Sequence, residues 1–346
     1  MSVAAIPDRR NEMRAWQISS FGIDSLELVE RPTPQPGAGE VLVKIHAVSL
    51  NYRDLMMVKG LYNPKLRLPR IPCSDGAGEV AAVGEGVTAW KAGDRVCGIF
   101  MQNWLDGPPT PAKIKGALGG DIDGMLAEYV LMKETGLVRI PDHLSFEEAA
   151  TLPCAAVTAW NALAAANPHP SATVLIQGTG GVSIFALQFA KLKGLRVLAV
   201  SSSDAKLQRA YALGLDKGFN YGEISEWDRW VIEETNGDGV DLVIEVGGVG
   251  TLPRSLRAVK MGGTIAQIGV LSGPSEPIPI PMILHKQANI RGIYVGSRHD
   301  FEEMNKAISA AKLHPVFESH AWTEARDVLR EMESATHLGK LVLKVG

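Results

Sequence analysis

ATVLIQGTGGVSIFALQFAKLKGLRVLAV, residues 172–200, decides the fold. An apolar run, Thr173–Ile176, meets a glycine cluster at Gly178, Gly180 and Gly181. An amphipathic segment follows (Ile184, Leu187, Phe189, Ala190, Leu192), and then a second apolar run, Val197–Val200. The pattern predicts a strand, a tight turn, a helix and a parallel strand. Glycine takes positive φ readily and lets backbone approach a phosphate, while a helix N-terminus offers free N–H groups and the positive end of a dipole. Placed between two strands, the cluster reads as the pyrophosphate cradle of a dinucleotide-binding unit, with Val182 in the first turn of its helix.

The chain has 346 residues, more than one ordinary core holds, so two domains are expected. Apolar residues make up 46% and charged ones 21%, the balance of a globular protein in water. A net charge of −3 gives no footing for nucleic acid or an anionic membrane. Three cysteines, Cys73, Cys97 and Cys154, form no CxxC and no paired framework. With no apolar signal core in the first 13 residues, they point to a cytoplasmic protein. The uncharged stretch Ala149–Ala190 is broken by Pro153, Pro168 and Pro170, so it reads as buried chain and not as a membrane span.

From Met13 to Ile140 short apolar or alternating runs are separated by Pro and Gly punctuation, which predicts a mostly antiparallel, partly open β-barrel. Gly107–Gly120 is rich in Pro and Gly and is expected as a surface loop. Ser145 and Glu148 have capping-box spacing and open a helix. Strands and helices then alternate. Six strand candidates (173–176, 197–200, 218–221, 241–245, 264–268 and 290–295) predict a doubly wound parallel sheet of the α/β class. A helix is expected over Pro253–Lys260. The tail beyond Gly296 has no sheet of its own and is assigned to the first domain. The expected division is 1–150 with 297–346, against 151–296.

GEVAAVGEGVTAWKAGDRV, then DGMLAEYV, then GTGGVS, in that order, resembles the medium-chain dehydrogenase/reductase superfamily over nearly the whole chain. The nearest flavour is its zinc-independent, quinone oxidoreductase-like branch. The resemblance implies a GroES-like barrel domain joined to a Rossmann domain, and often a homodimer. Zinc-dependent members hold a catalytic metal with Cys, His and Cys. Here the first stretch reads Asn51-Tyr52-Arg53-Asp54, the second Cys73-Ser74-Asp75-Gly76, and only Cys154 survives of the three ligands. Zinc prefers thiolate, imidazole or carboxylate, so one thiolate with Asp75 as helper is too poor a set. Residues 98–125 also lack the four cysteines of the family's structural zinc loop. No metal is expected at either site, and Cys154 is expected as a small buried filler.

NAD-specific units place an acid at the end of the second strand, about 20 residues past the first glycine. Here that strand ends in Ser201-Ser202-Ser203, and Asp204 is better explained as the N-cap or first-turn acid of the next helix. Hydroxyls with Lys206 suit a 2′-phosphate, and Tyr221 matches a family tyrosine near it, so NADPH is expected in preference to NADH. The carboxyl ends of later strands nominate Val246, Ile268, Val270 and Val295 beside the nicotinamide. By resemblance, Thr158 stands near the nicotinamide and Lys340 reaches the pyrophosphate.

Without a Lewis acid an alcohol oxygen is poorly activated, and an acceptor that takes hydride directly fits better: a quinone or an α,β-unsaturated carbonyl. Tyr52 is the expected hydrogen-bond donor to the developing oxyanion, with Asn51 as a second donor. Arg53 either orients a carbonyl or pairs with Asp54 or Asp75. Two alternatives stand beside this reading. One is a zinc-independent alcohol or aldehyde oxidoreductase; the other is a catalytically silent, NADPH-binding interaction module.

Overall fold

The computed structural model describes residues 12–271 and 278–346. It divides into two compact units: the chain up to Cys154 with Gly296–Gly346, and Ala155–Val295.

In the first unit, β1 (Glu12–Ile18) and β2 (Leu26–Pro32) form an antiparallel pair. β3 (Glu40–Leu50) is the spine and runs directly into α1 (Tyr52–Val58). β4 (Asp75–Val83), β5 (Arg95–Gly98), β6 (Tyr129–Lys133) and β7 (Leu137–Arg139) follow, and then α2 (Phe146–Ala150). β3 carries β4 and β6 as antiparallel partners. Its register with β4 shifts twice, at Leu42/Val43 and at Ile45/Ala47. Such bulges sharpen twist and bend a sheet toward closure. Ser145 caps α2, accepting from the Glu148 N–H at 3.1 Å while the Glu148 carboxylate accepts the Ser145 N–H at 2.7 Å. After α2 the chain makes a π-helical turn, Leu152–Ala156, which the sequence did not disclose.

The second unit starts with α3 (Val157–Ala166) and then alternates: β8 (Thr173–Gln177), α4 (Gly181–Leu192), β9 (Arg196–Ser201), α5 (Asp204–Tyr211), β10 (Lys217–Asn220), α6 (Trp227–Glu234), β11 (Val240–Glu245), α7 (Leu252–Ala258), β12 (Val259–Gln267), α8 (Ile280–Lys286) and β13 (Asn289–Gly292). The sheet is parallel throughout, in the order β10-β9-β8-β11-β12-β13. Val174, Leu175 and Ile176 are fully buried, as befits a central parallel strand covered on both faces. Phe185 and Phe189 of α4 are buried too, their rings 5.9 Å apart.

Two boundaries differ from expectation by more than two residues: the strand expected over 290–295 is β13, which ends at Gly292 and leaves Val295 beyond it, and the start of β12 is displaced. The helix expected to reach Lys260 stops at Ala258, and β12 starts at Val259, five residues earlier than the expected Thr264. Val259 pairs with Val240, and Gly262 at φ 73 turns the chain before the main register with β11 resumes at Thr264. A β-branched residue facing a strand partner outweighs the helical pattern around it.

The tail completes the first unit. α9 (Arg298–Ala311), β14 (Phe317–Ala321), α10 (Ala325–Ser334) and β15 (Lys340–Lys344) add to its sheet, which then runs β14-β15-β3-β4-β5-β7. β15 lies antiparallel to β3, pairing Leu341 with Leu50. That pairing carries Lys340 to the end of β3, where α1 begins. The core of this unit takes Ile45, Val48 and Leu50 from β3, Leu341 and Leu343 from β15, and Val328 and Leu329 from α10.

Candidate functional site

In the second unit the strand order departs from β8 in both directions, to β9 on one side and β11 on the other, so the crevice for a ligand opens at their carboxyl ends. Gly178 adopts φ 68, and Cβ atoms added at Gly178 and Gly180 would meet nothing within 4 Å. α4 starts at Gly181 with no side chain capping it, which leaves the amides of Gly181 and Val182 to an anion. The cradle thus suits a dinucleotide pyrophosphate. Ser183, in place of the usual third glycine, donates its hydroxyl to the Gln177 carbonyl at 2.6 Å and ties the helix to the strand.

Two side chains that sequence reasoning did not single out organise this crevice. Glu245, at the end of β11, is fully buried. Its Oε1 accepts from the N–H groups of Gly247 (2.8 Å) and Gly248 (2.9 Å) and from the Thr251 hydroxyl (2.5 Å). Its Oε2 accepts from Gln177 Nε2 at 2.8 Å and from the Ser255 hydroxyl. Its backbone carbonyl accepts the N–H groups of Ile268 (2.9 Å) and Gly269 (3.1 Å). One residue therefore holds the turn after β11 and the turn after β12, which contain Val246 and Ile268. Through Gln177 it also holds the strand that leads into the glycine turn. The available signal was a charged residue closing an apolar strand, where an unpaired carboxylate would be prohibitive.

Ser201 ends β9 and is buried, its hydroxyl accepting the Ser203 N–H at 3.3 Å. Ser203 caps α5, so Asp204 is a first-turn acid and not the cap. Ser202 is exposed, and Lys206 lies in the first turns of α5. The Tyr221 N–H donates to the Ser201 carbonyl at 2.9 Å, which brings Ser201, Ser202 and Tyr221 to one edge of the sheet. Thr158 is buried on α3. Val270 is half exposed beyond the end of β12. Val295 is buried at φ 55, an unusual conformation for a β-branched residue, and its carbonyl accepts from Asn161 Nδ2 at 2.7 Å.

The first unit holds a separate polar cluster. The three positions expected from the family's metal site do come together, but around a lysine. The Lys340 ammonium, only 3% exposed, donates to the Leu50 carbonyl at 2.5 Å and to Asn51 Oδ1, and lies 3.9 Å from Asp75 Oδ2. Asn51 Nδ2 donates to Ser74 Oγ (3.3 Å), Ser74 Oγ to Asp75 Oδ1 (2.7 Å), and the Cys154 N–H to Asp75 Oδ2 (3.1 Å). Asp54, also fully buried, accepts the Asn51 N–H at 2.8 Å and lies 3.4 Å from Arg53 Nη1. Burial pushes the Asp75 carboxyl up, against the pull of Lys340. Burial also raises the Cys154 thiol, with Asp75 adding to the shift, so the thiol form is favoured. Among the described residues no group of three or more His, Cys, Asp or Glu side chains could hold a metal ion.

Two expectations are corrected here. Lys340 is committed inside the first unit, a buried ammonium with two hydrogen bonds and an ion pair to its neighbours, and is not a free arm for a pyrophosphate. Asn51 is turned inward, its amide shared between Lys340 and Ser74. Arg53 takes one of its expected roles, pairing with Asp54; it also donates to the Leu118 carbonyl at 2.7 Å and stacks 5.0 Å above the Phe100 ring, packed so closely that a Cβ on Gly120 would meet its Nη2 at 2.3 Å. Of Asn51, Tyr52 and Arg53, only Tyr52 stands open, 39% exposed at the start of α1, with no hydrogen bond to its hydroxyl among the described residues. Cys154 is only partly buried, which differs from the expected core filler.

Residues 37–142 match the family described as alcohol dehydrogenase GroES-like domain, and residues 181–310 the family described as zinc-binding dehydrogenase. A zinc-type alcohol dehydrogenase-like protein of Schizosaccharomyces pombe, C1773.06c, is 45% identical over 94% of this chain and 96% of its own. Acryloyl-coenzyme A reductase of Metallosphaera sedula is 31% identical over 92% and 96%. A crystal structure described as an NAD-dependent alcohol dehydrogenase superposes with a TM-score of 0.88 at 34% identity, covering 96% of this chain and all of that one. The chain belongs to the medium-chain dehydrogenase/reductase superfamily and is an alcohol dehydrogenase-like oxidoreductase. Its cofactor is of the nicotinamide class that the family uses.

Glu245→Gln places an NH2 among groups that all donate, so either the Gln177 amide turns or a donor goes unpaired. Unfolding free energy should fall by about 1–3 kcal/mol, and dinucleotide affinity should fall with it. Denaturant unfolding and titration calorimetry read the two effects, and unchanged affinity would show that the turns hold without the carboxylate. A second prediction concerns pH. Burial, with Asp75 adding and Arg53 opposing, pushes the Asp54 carboxyl up to about 6 from its ordinary 3.8. The folded chain therefore keeps a proton that the unfolded chain gives up, and this contribution to stability is lost as pH rises through about 6. The Tm difference between Asp54→Asn and the parent should move in the variant's favour as pH is raised from about 4 to about 7, by calorimetry. A constant difference would show that Asp54 titrates normally.

Proposed function

We propose that this oxidoreductase is a metal-free, NADPH-dependent reductase of α,β-unsaturated carbonyls or quinones. The observation that carries the reading is the commitment of Asn51 and Ser74 to a ring closed by Lys340 and Asp75. A neutral amide engaged with an ammonium, and a neutral hydroxyl engaged with that amide and a carboxylate, offer a divalent metal little. An alcohol substrate needs its oxygen activated, whereas a conjugated acceptor brings its own electrophilic carbon. When bound, the nicotinamide supplies the hydride. The chain's part is to stabilise the oxyanion that develops on the acceptor, and Tyr52 has the exposed hydroxyl for it. The name of the Metallosphaera relative, a reductase of an unsaturated acyl thioester, supports this class of acceptor. The second reading, a zinc-independent alcohol or aldehyde oxidoreductase, draws on the names of the alcohol dehydrogenase-like relatives.

NADPH is favoured because no carboxylate ends β9. Ser201, Ser202, Lys206 and Tyr221 form the edge where a 2′-phosphate would sit, free of the repulsion an acid would add. A cytoplasmic setting fits the three free thiols; among the described residues no helix is long and apolar enough to cross a membrane. A homodimer is supported by the edge strand β13, exposed at all four residues, and by Ile280 and Leu284, which are 66% and 72% exposed. The last sheet strand and the segment from Glu276 to Leu284 are the surface where a partner would meet; Glu276 and Pro277 lie outside the described residues. Sedimentation should give twice the chain mass.

Initial rates with NADPH and NADH, against 2-alkenals, quinones and primary alcohols, test the proposal. Alkenal or quinone reduction with NADPH should exceed alcohol oxidation at least tenfold, without added metal. Ser201→Asp should move the NADPH/NADH preference toward NADH by about tenfold or more, and Tyr52→Phe should lower kcat by about fivefold or more, ~1 kcal/mol of transition-state stabilisation. Alcohol turnover that rises with zinc would sink the metal-free reading, and a parent preference for NADH would sink the cofactor assignment.

A further inference from the structure

Removing a metal from a buried site raises a question of charge. Asp54 and Asp75 are both fully buried, and carboxylates in such a place need cations beside them. Arg53 lies 3.4 Å from Asp54, donates to the Leu118 carbonyl and stacks on Phe100. The cation nearest Asp75 is Lys340, brought there by the β15–β3 pairing. Lys340, Asn51, Ser74 and Asp75 form a closed ring, and the Cys154 N–H joins it at Asp75. The residues at all three family ligand positions, 51, 74 and 154, are thus organised about one ammonium.

We propose that Lys340 is the resident cation of this site: its ammonium takes the place of a divalent metal, balances Asp75, and bars metal from positions 51, 74 and 154. The inference rests on the metal-free reading above and explains how that state is built. An ammonium is a compact charge with three donors, and here it finds two oxygen acceptors and a carboxylate. In this arrangement Lys340 is a positioning residue. It orients the Asn51 amide so that Nδ2 faces Ser74, and thereby holds the start of α1, on which Tyr52 is mounted.

The test rebuilds the lost ligands with and without the ammonium. N51C/S74H restores Cys, His and Cys together with Cys154, and N51C/S74H/K340M restores them with the cation removed. N51C/S74H/K340Q repeats the comparison with an amide that keeps a donor toward Leu50, should the methionine variant fail to fold. Each protein is checked by circular dichroism and titrated with Co2+, read by thiolate-to-metal absorption and by native mass. The expected result is no cobalt on the parent, at least tenfold weaker binding by the double variant than by a triple variant, and about one equivalent on the triple. Equal binding by double and triple variants overturns the role of Lys340, as does failure of a folded triple variant to bind, and both leave the metal-free reading standing. Stoichiometric cobalt on the parent overturns the metal-free reading itself, and the role of Lys340 with it.

Discussion

A carboxylate with no access to water must receive every hydrogen bond from its own neighbours, and the dinucleotide-binding unit is arranged around one that does. Glu245 accepts five donors through its side chain and two more through its carbonyl. Those donors belong to three segments that converge where the strand order reverses. Each segment alone would be a loop with unpaired amides. Together they are fixed to a common point, so the crevice keeps its shape before any ligand enters. Ser183 extends the same logic to α4, pinning to the Gln177 carbonyl the helix whose N-terminus faces the anion.

The other unit solves a similar problem by different means. Its buried acids are met by one cation from beside them in sequence and one from far away: Arg53 in the first turn of α1, next to Asp54, and Lys340 from the last strand. Two acids and two bases balance to zero in an interior where an unmatched charge would cost several kcal/mol. The π-helical turn at Leu152–Ala156 belongs to this scheme, because it presents the Cys154 N–H to Asp75. Local irregularity of this kind recurs where a backbone group is needed outside its own helix.

Much of this architecture could be read from residue patterns. The six strands of the parallel sheet announced themselves as apolar runs between glycine turns, and the capping box at Ser145 marked α2. The glycine turn after β8 was legible because it is local: strand, turn and helix lie within 30 consecutive residues. What escaped was set by distance or by competition. Lys340 and Asn51 lie 289 residues apart, and nothing near Lys340 reveals that its strand ends against Leu50 and Asn51. A lone lysine before an apolar strand looks the same whether it is solvated, reaches for a phosphate or is buried. Glu245 was hidden for a related reason, since its partners come from three separate segments of the chain. At Val259 a helical pattern and a strand partner competed, and the partner prevailed.

The residues at family ligand positions 51 and 74 of the first unit are therefore better understood as one coupled arrangement than as two separate substitutions. With a thiolate at position 51, Lys340 would face a second negative group and lose the neutral acceptor it now has. With an imidazole at 74 the short contact from Ser74 Oγ to Asp75 Oδ1 would be lost, along with the small hydroxyl that accepts from Asn51. Asn51 is suited to its place because its amide carries both polarities, an oxygen for the ammonium and a nitrogen for the serine. Serine is suited to its own because a hydroxyl accepts from one neighbour while donating to the next. Each member of the ring is thus matched to the two beside it, and a substitution at any one of them would leave a buried donor facing a donor, or an acceptor facing a charge of its own sign.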